Sequence, residues 1–194
     1  SCLSCALLGL LVRQAPALEP AMDVMLVIDN SNSMFDKGGI GSDPDLRRIE
    51  AAQMLINYLG VDSSASHRLG VISFGGKAEL TVPLTDLTDD RVRERIGSAI
   101  ANPQRLAWTD PAAALTLALE TLRADGHGRR RPVVVMLTDG RPEWSNRATE
   151  NEERVVIKEL TSIGERYREE GVALFVVLLA GDGLSPDPEI AEIY

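Results

Sequence analysis

From residue 21 onward the chain alternates between two rhythms: short apolar runs without polar interruption, and longer stretches whose apolar residues recur every three or four positions. That alternation predicts an α/β domain on a mainly parallel sheet, because a strand covered by helices on both faces reads as a continuous apolar run. "MDVMLVID" (22–29), "HRLGVISF" (67–74), "RPVVVMLTDG" (131–140) and "VALFVVLLAGD" (172–182) are the runs. "GGKAELTVPL" (75–84) turns back through two glycines into an alternating segment, and Pro83 confines it to a sheet edge, since a central ladder needs the N–H that proline lacks. An antiparallel edge hairpin is expected there.

Between the strands, Leu46, Ile49, Ala52, Ile56 and Leu59 keep helical spacing from about residue 45, with Asp43 or Asp45 available as a cap. A short polar helix is expected over 89–103. A more apolar one over 109–126 has clear boundaries, with Asp110 as N-cap, Pro111 at the first helical position and Gly126 at the end. Over 151–171, Val156, Leu160, Ile163 and Tyr167 make one apolar face. Asp187 and Pro188 read as the start of a further helix. The sequence stops at Tyr194 after barely two turns of it, so the domain is expected to continue.

At 194 residues, 44% of them hydrophobic, the chain has enough material for one domain with a full core. A formal charge of -9 and a pI near 4.8 argue against nonspecific nucleic-acid binding, which needs clustered Lys and Arg. The one basic run, Arg129 to Arg131, is expected to be a solvated strand entrance. His67 and His127 are expected on the surface. The two cysteines, Cys2 and Cys5, both fall in "SCLSCALLGLLVR", leaving no disulfide framework or cysteine-rich zinc site for the folded body. The apolar stretch 2–12 has the length of a signal-peptide core and is too short to span a bilayer alone. Ala15 and Ala17 after it have small-x-small spacing like a cleavage site. Residues 1–20 are therefore expected to be a signal-peptide or membrane-anchor remnant, and 21–194 the domain.

Two of the strands end in an acid, Asp29 in "VMLVID" and Asp139 in "VVVMLTD". In an open parallel sheet, functional residues gather where the strands end, especially where successive connections leave to opposite sides. If those strands are neighbours, their ends lie about 5 Å apart. Carboxylates that close must share a proton, perform paired acid/base work, or bind a cation. Ser31 and Ser33 can turn two hydroxyls toward the same point. No His, Cys or Lys lies in either motif to serve as base or nucleophile partner, and oxygen-only ligation is what Mg²⁺ prefers.

"DNSNSM", 29–34, resembles the D-x-S-x-S motif of the von Willebrand factor type A family, the integrin I-domain fold, whose metal-ion-dependent adhesion site it begins. Thr109 in "WTDPAAAL" matches the family's loop threonine, and Asp139 in "MLTDG" its later aspartate. The resemblance covers about 23–194. It implies a doubly wound, Rossmann-like, mostly parallel sheet of order 3-2-1-4-5-6 with one antiparallel edge strand and helices on both faces, the last strand being missing from this chain. It also implies a noncatalytic protein-binding module in which Ser31, Ser33 and Thr109 supply hydroxyls to Mg²⁺ (or Mn²⁺ or Ca²⁺). Asp29 and Asp139 then act directly or through water, and an open position takes a Glu or Asp carboxylate from a partner protein. Two departures stand out: Asn32 and Trp108 occupy positions where glycine is frequent in the family.

Trp108 and Trp144 fall in loops that should open on the metal face and are candidate partner contacts, although each can equally roof its own loop. Asp36, Asp43 and Asp45 are explained by capping and solvation. Two other functions fit parts of the pattern. A haloacid-dehalogenase-like phosphatase also places an aspartate after its first strand, but Ser31 stands where that chemistry wants a second acid, and no lysine precedes the later acidic motif. An intracellular subunit of an AAA+ ATPase-associated complex has the same domain, and the apolar N-terminal stretch weighs against it. Export, as a secreted or membrane-anchored protein, is the expectation.

Overall fold

A computed structural model describes residues 20–35, 41–61, 65–126, 128–140, 142 and 150–180. Its five strands are β1 (Met22–Asp29), β2 (Arg68–Phe74), β3 (Ala78–Asp86), β4 (Arg131–Thr138) and β5 (Ala173–Leu178). The helices are α1 (Arg47–Val61), α2 (Asp90–Ile100), α3 (Pro111–Asp125) and α4 (Glu150–Glu169). The strands form one sheet of order β3-β2-β1-β4-β5, parallel throughout except for the antiparallel β2–β3 pair. This is the expected 3-2-1-4-5 arrangement; the expected helix at Asp187 and Pro188 lies outside the described residues.

β1 is central, and all of it but Met22 is buried. Its even positions, Val24, Leu26 and Ile28, pack with Ile49, Ala52, Ile56 and Leu59 of α1 and Ile96 and Ile100 of α2. Its odd positions, Met25 and Val27, meet Leu115, Leu119 and Leu122 of α3 and Leu160, Ile163 and Tyr167 of α4. The period-two alternation of side chains thus feeds two separate cores, one on each face of the sheet. The chain leaves β1 through α1 to β2 on one side and returns through α3 to β4 on the other. β1 and β4 therefore flank the point where the winding reverses.

Local signals account for the boundaries. Asp110 caps α3 by accepting from Ala113 N at 2.9 Å, Pro111 opens the helix, and Gly126 ends it at φ 64. Pro83 sits in β3 at the sheet edge, where a missing N–H leaves no ladder bond unmade. Helix α1 starts two residues later than its spacing predicts. Leu46 takes φ 58, and Asp43 caps from further back, its carboxylate accepting from Arg47 N at 2.8 Å and Arg48 N at 3.1 Å. His67 is buried rather than exposed, because its Nδ1 accepts from Met22 N at 3.0 Å and ties β2 to the start of β1. The basic run is not simply solvated either. Arg130 Nε donates to Ser66 O at 3.2 Å and lies 3.6 Å from the buried Asp23 carboxylate. Among the described residues no helix is long and apolar enough to cross a membrane. Residues 1–19, with Cys2, Cys5, Ala15 and Ala17, and also Asp36, His127 and Trp144, lie outside the described residues.

Candidate metal centre

Asp29 closes β1 at its carboxyl end and is fully buried. Register carries its neighbours to it. Asp29 pairs with Phe74 of β2, and Ile28 pairs with Leu137 of β4, which sets Thr138 beside Asp29 one position further on. Thr138 Oγ1 donates to Asp29 Oδ2 at 2.6 Å and accepts from Gly140 N at 3.0 Å. Beyond the strand the chain folds back at once, so that Ser31 N donates to Asp29 Oδ1 at 2.8 Å. A single 3-10 turn over Asn32–Met34 then brings the Ser31 and Ser33 hydroxyls to 3.1 Å from each other. Ser31 is buried and Ser33 exposed, so the pair runs from the interior to the surface.

The loop carrying Thr109 is stitched to the same end of the sheet by its backbone. Leu106 N donates to Asn30 O at 2.7 Å, Gly76 N to Ala107 O at 2.7 Å, and Asp110 N to Gly75 O at 2.7 Å. Gly75 and Gly76, expected only to turn a hairpin, also seat this loop. A Cβ on Gly75 would stand 2.4 Å from Leu106 Cβ, and one on Gly76 would stand 2.9 Å from Trp108 Cβ. Trp108 takes φ 64, a left-handed conformation unusual for a bulky residue, and is half-buried against Gly76. The position where the family often has glycine thus has a glycine-like backbone. Asn32 instead lies inside the 3-10 turn. Thr109 itself is buried.

Asp139 follows β4, half-buried, and its charge is felt at Asp29. Burial raises the Asp29 pKa from 3.8 to about 6; Asp139 adds to the rise, and hydrogen bonds from Ser31 and Thr138 work against it. Among the described residues no Lys, Arg or His pairs with Asp29. A buried carboxylate held by neutral donors and pushed by a like charge is a place where a cation would be stabilised. The donors fit a hard cation, since every candidate ligand atom is a carboxylate or hydroxyl oxygen. Among the described residues no three His, Cys, Asp or Glu side chains gather in a metal-binding group, so an ion here would rest on two carboxylates and hydroxyls.

Several contributors carry no motif signal. Ser42 Oγ donates to Asp139 Oδ2 at 2.8 Å. Arg48, wholly buried at the start of α1, donates to Asp43 Oδ2 at 2.7 Å and to Asn30 Oδ1 at 3.2 Å, with its guanidinium 4.8 Å from the Phe35 ring centre. A hydroxyl ending the apolar run of β4 was the one available hint of Thr138. Nothing local marks Ser42.

Fold and strand-end cluster together define a doubly wound domain with an acid-and-hydroxyl site at its topological switch point. The profile of the von Willebrand factor type A domain matches residues 24–141, and the chain belongs to that family. No curated protein sequence matches it. Among solved structures, the aerotolerance-related membrane protein of Bacteroides fragilis is 21% identical, the match covering 88% of this chain and 79% of that one, at a TM-score of 0.56. The manganese-loaded TRAP protein of Plasmodium vivax is 18% identical over 86% of this chain and 59% of that one, at a TM-score of 0.60. An adhesive tip pilin of Group B Streptococcus agalactiae is 19% identical over 66% of this chain and 30% of that one, at a TM-score of 0.53. The chain thus spans less than two thirds of the latter two proteins. At such identities the likeness establishes the fold.

Proposed function

We propose that this domain is a noncatalytic, metal-ion-dependent protein-binding module of an exported or membrane-anchored protein, residues 21–194 forming the domain. The observation that carries the reading is Asp29, a fully buried carboxylate with a like charge nearby and, among the described residues, no cationic side chain paired to it. In this reading Asp29 and Asp139 supply the negative charge, and Ser31, Ser33 and Thr109 supply hydroxyl oxygens. A Mg²⁺ ion, with Mn²⁺ or Ca²⁺ as substitutes, would supply an electrophilic open position for one Glu or Asp carboxylate of a protein partner. With hydroxyls in place of further acids, the two carboxylates only balance the charge of a divalent ion, and the nearly neutral site would not repel that incoming carboxylate. Trp108, beside Thr109, is a candidate contact for the partner in this reading. The manganese-loaded and adhesive relatives, and the membrane protein among them, support the metal, the protein partner and the location outside the cytoplasm.

Calorimetric titration with Mg²⁺ or Mn²⁺ tests the reading. One site is expected in the wild type and none in Asp29→Ala, and a protein partner should be captured without EDTA and lost with it. A folded wild type that gives no binding heat with either ion would overturn it.

A further inference from the structure

Asp29 and Asp139 repel one another, yet they are held very differently. Asp29 lies within a central strand, buried and bonded on both oxygens. Asp139 lies past the end of β4, half-buried, and its carboxylate is free to swing away from Asp29 unless something outside the strand restrains it. Ser42 does so from 97 residues away in sequence, donating its hydroxyl to Asp139 Oδ2 at 2.8 Å.

Ser42 can act as a restraint because it is itself fixed. Its N–H donates to Ser33 O at 2.8 Å, and the N–H of Asp43 donates to Met34 O at 3.1 Å. Asp43 is pinned by the two backbone bonds of its cap and by the buried Arg48 guanidinium, which reaches on to Asn30. Segment 42–48 is thereby laced to the loop 30–35, and Ser42 is where that lacing meets Asp139. One residue links the hydroxyl half of the site, through Ser33, to its distal carboxylate.

We infer that Ser42 is a positioning residue for the cation site, setting the Asp139 carboxylate at its working distance from Ser33 and Asp29; the inference rests on the metal-binding reading above. Groups that orient a ligand without touching the ion typically change affinity by roughly 10–100-fold. Ser42 is half-buried and makes one side-chain hydrogen bond among the described residues, so its removal is a small perturbation to folding.

The test is Mn²⁺ titration of wild type, Ser42→Ala and Ser42→Thr, with urea midpoints of the three metal-free proteins measured alongside. Ser42→Ala is expected to weaken Mn²⁺ binding by about tenfold or more, Ser42→Thr to restore it to within about threefold, and the metal-free midpoints to coincide. Unchanged affinity in Ser42→Ala overturns the positioning role while leaving the metal site standing. A loss of affinity matched by a loss of metal-free stability, and not restored by threonine, also overturns it, since the hydroxyl would then be serving the fold. Absence of binding in the wild type itself is the failure of the underlying reading, and is distinguishable from both.

Discussion

Strand β1 carries two buried carboxylates, Asp23 near its start and Asp29 at its end, on the same face of the sheet and about 20 Å apart. At Asp23 the protein supplies its own cations. Arg68 clamps it with Nε on Oδ1 and Nη2 on Oδ2, both at 2.7 Å, and Arg130 approaches to 3.6 Å. At Asp29 the protein supplies hydroxyls, an amide N–H and a second carboxylate. The strand and the burial are the same and the compensation is opposite, which under the proposed reading separates a structural acid from one neutralised by a bound cation. The large cost of burying a charge makes that difference informative.

The largest expected effect is at the compensated end. Asp23→Asn keeps the volume but leaves Arg68 facing a neutral amide, and breaking such a pair is expected to cost about 3 kcal/mol, toward the low end for buried ion pairs because both arginines reach solvent. Urea denaturation should show that loss equally with and without Mg²⁺. Asp29→Asn should behave in the opposite way: at pH 8 its metal-free stability is expected to equal or exceed wild type, and added Mg²⁺ should no longer stabilise it. Equal losses from the two substitutions would erase the distinction between the two ends of the strand.

The pH dependence sharpens the contrast. The Asp29 pKa is raised on folding, from 3.8 to about 6, so its contribution is fully present below about pH 4 and is lost as pH rises through 6. In the metal-free protein that contribution amounts to about 3 kcal/mol, at 1.36 kcal/mol per pKa unit. Mg²⁺ should reverse the loss at pH 7.5, and its affinity should fall below about pH 6, where the ion must displace a proton. Urea midpoints at pH 5 and 7.5 for wild type and Asp29→Asn check this. A wild type whose metal-free midpoint does not fall relative to Asp29→Asn over that interval would remove the charge imbalance on which the metal reading stands.

What could be read from the chain alone followed locality. Apolar runs ended by an acid marked β1 and β4, Pro83 marked the edge, and Asp110, Pro111 and Gly126 bounded α3 because capping acts within a few residues. The contacts that organise both ends of β1 are not local: Asp23 meets Arg68 across 45 residues, Asp139 meets Ser42 across 97, and Asp29 meets Thr138 across 109. Such pairings are set by strand register and loop docking, which leave no periodicity in the sequence. For the same reason nothing in the helical spacing marks Arg48, which is wholly buried, and Arg130 reads as solvated although it leans on Asp23. The Asp29 motif was legible only because its serines lie within four residues of it.

The smallest effect concerns how the compensation at Asp23 is shared. Arg68 is bidentate at short range, whereas Arg130 Nε stands 3.6 Å from Oδ1, spends its bond on Ser66 O, and is a third exposed. Arg130→Gln should therefore cost under about 1 kcal/mol, in the range of solvent-screened pairs, and less at 0.5 M salt than at 0.05 M, while Arg68→Gln approaches the loss seen in Asp23→Asn. Chemical denaturation of the two variants at both salt concentrations separates these outcomes. If Arg130→Gln proved as damaging as Arg68→Gln, Asp23 would need two cations to remain buried, and the deficit at Asp29, which has none from the described protein, would be correspondingly greater.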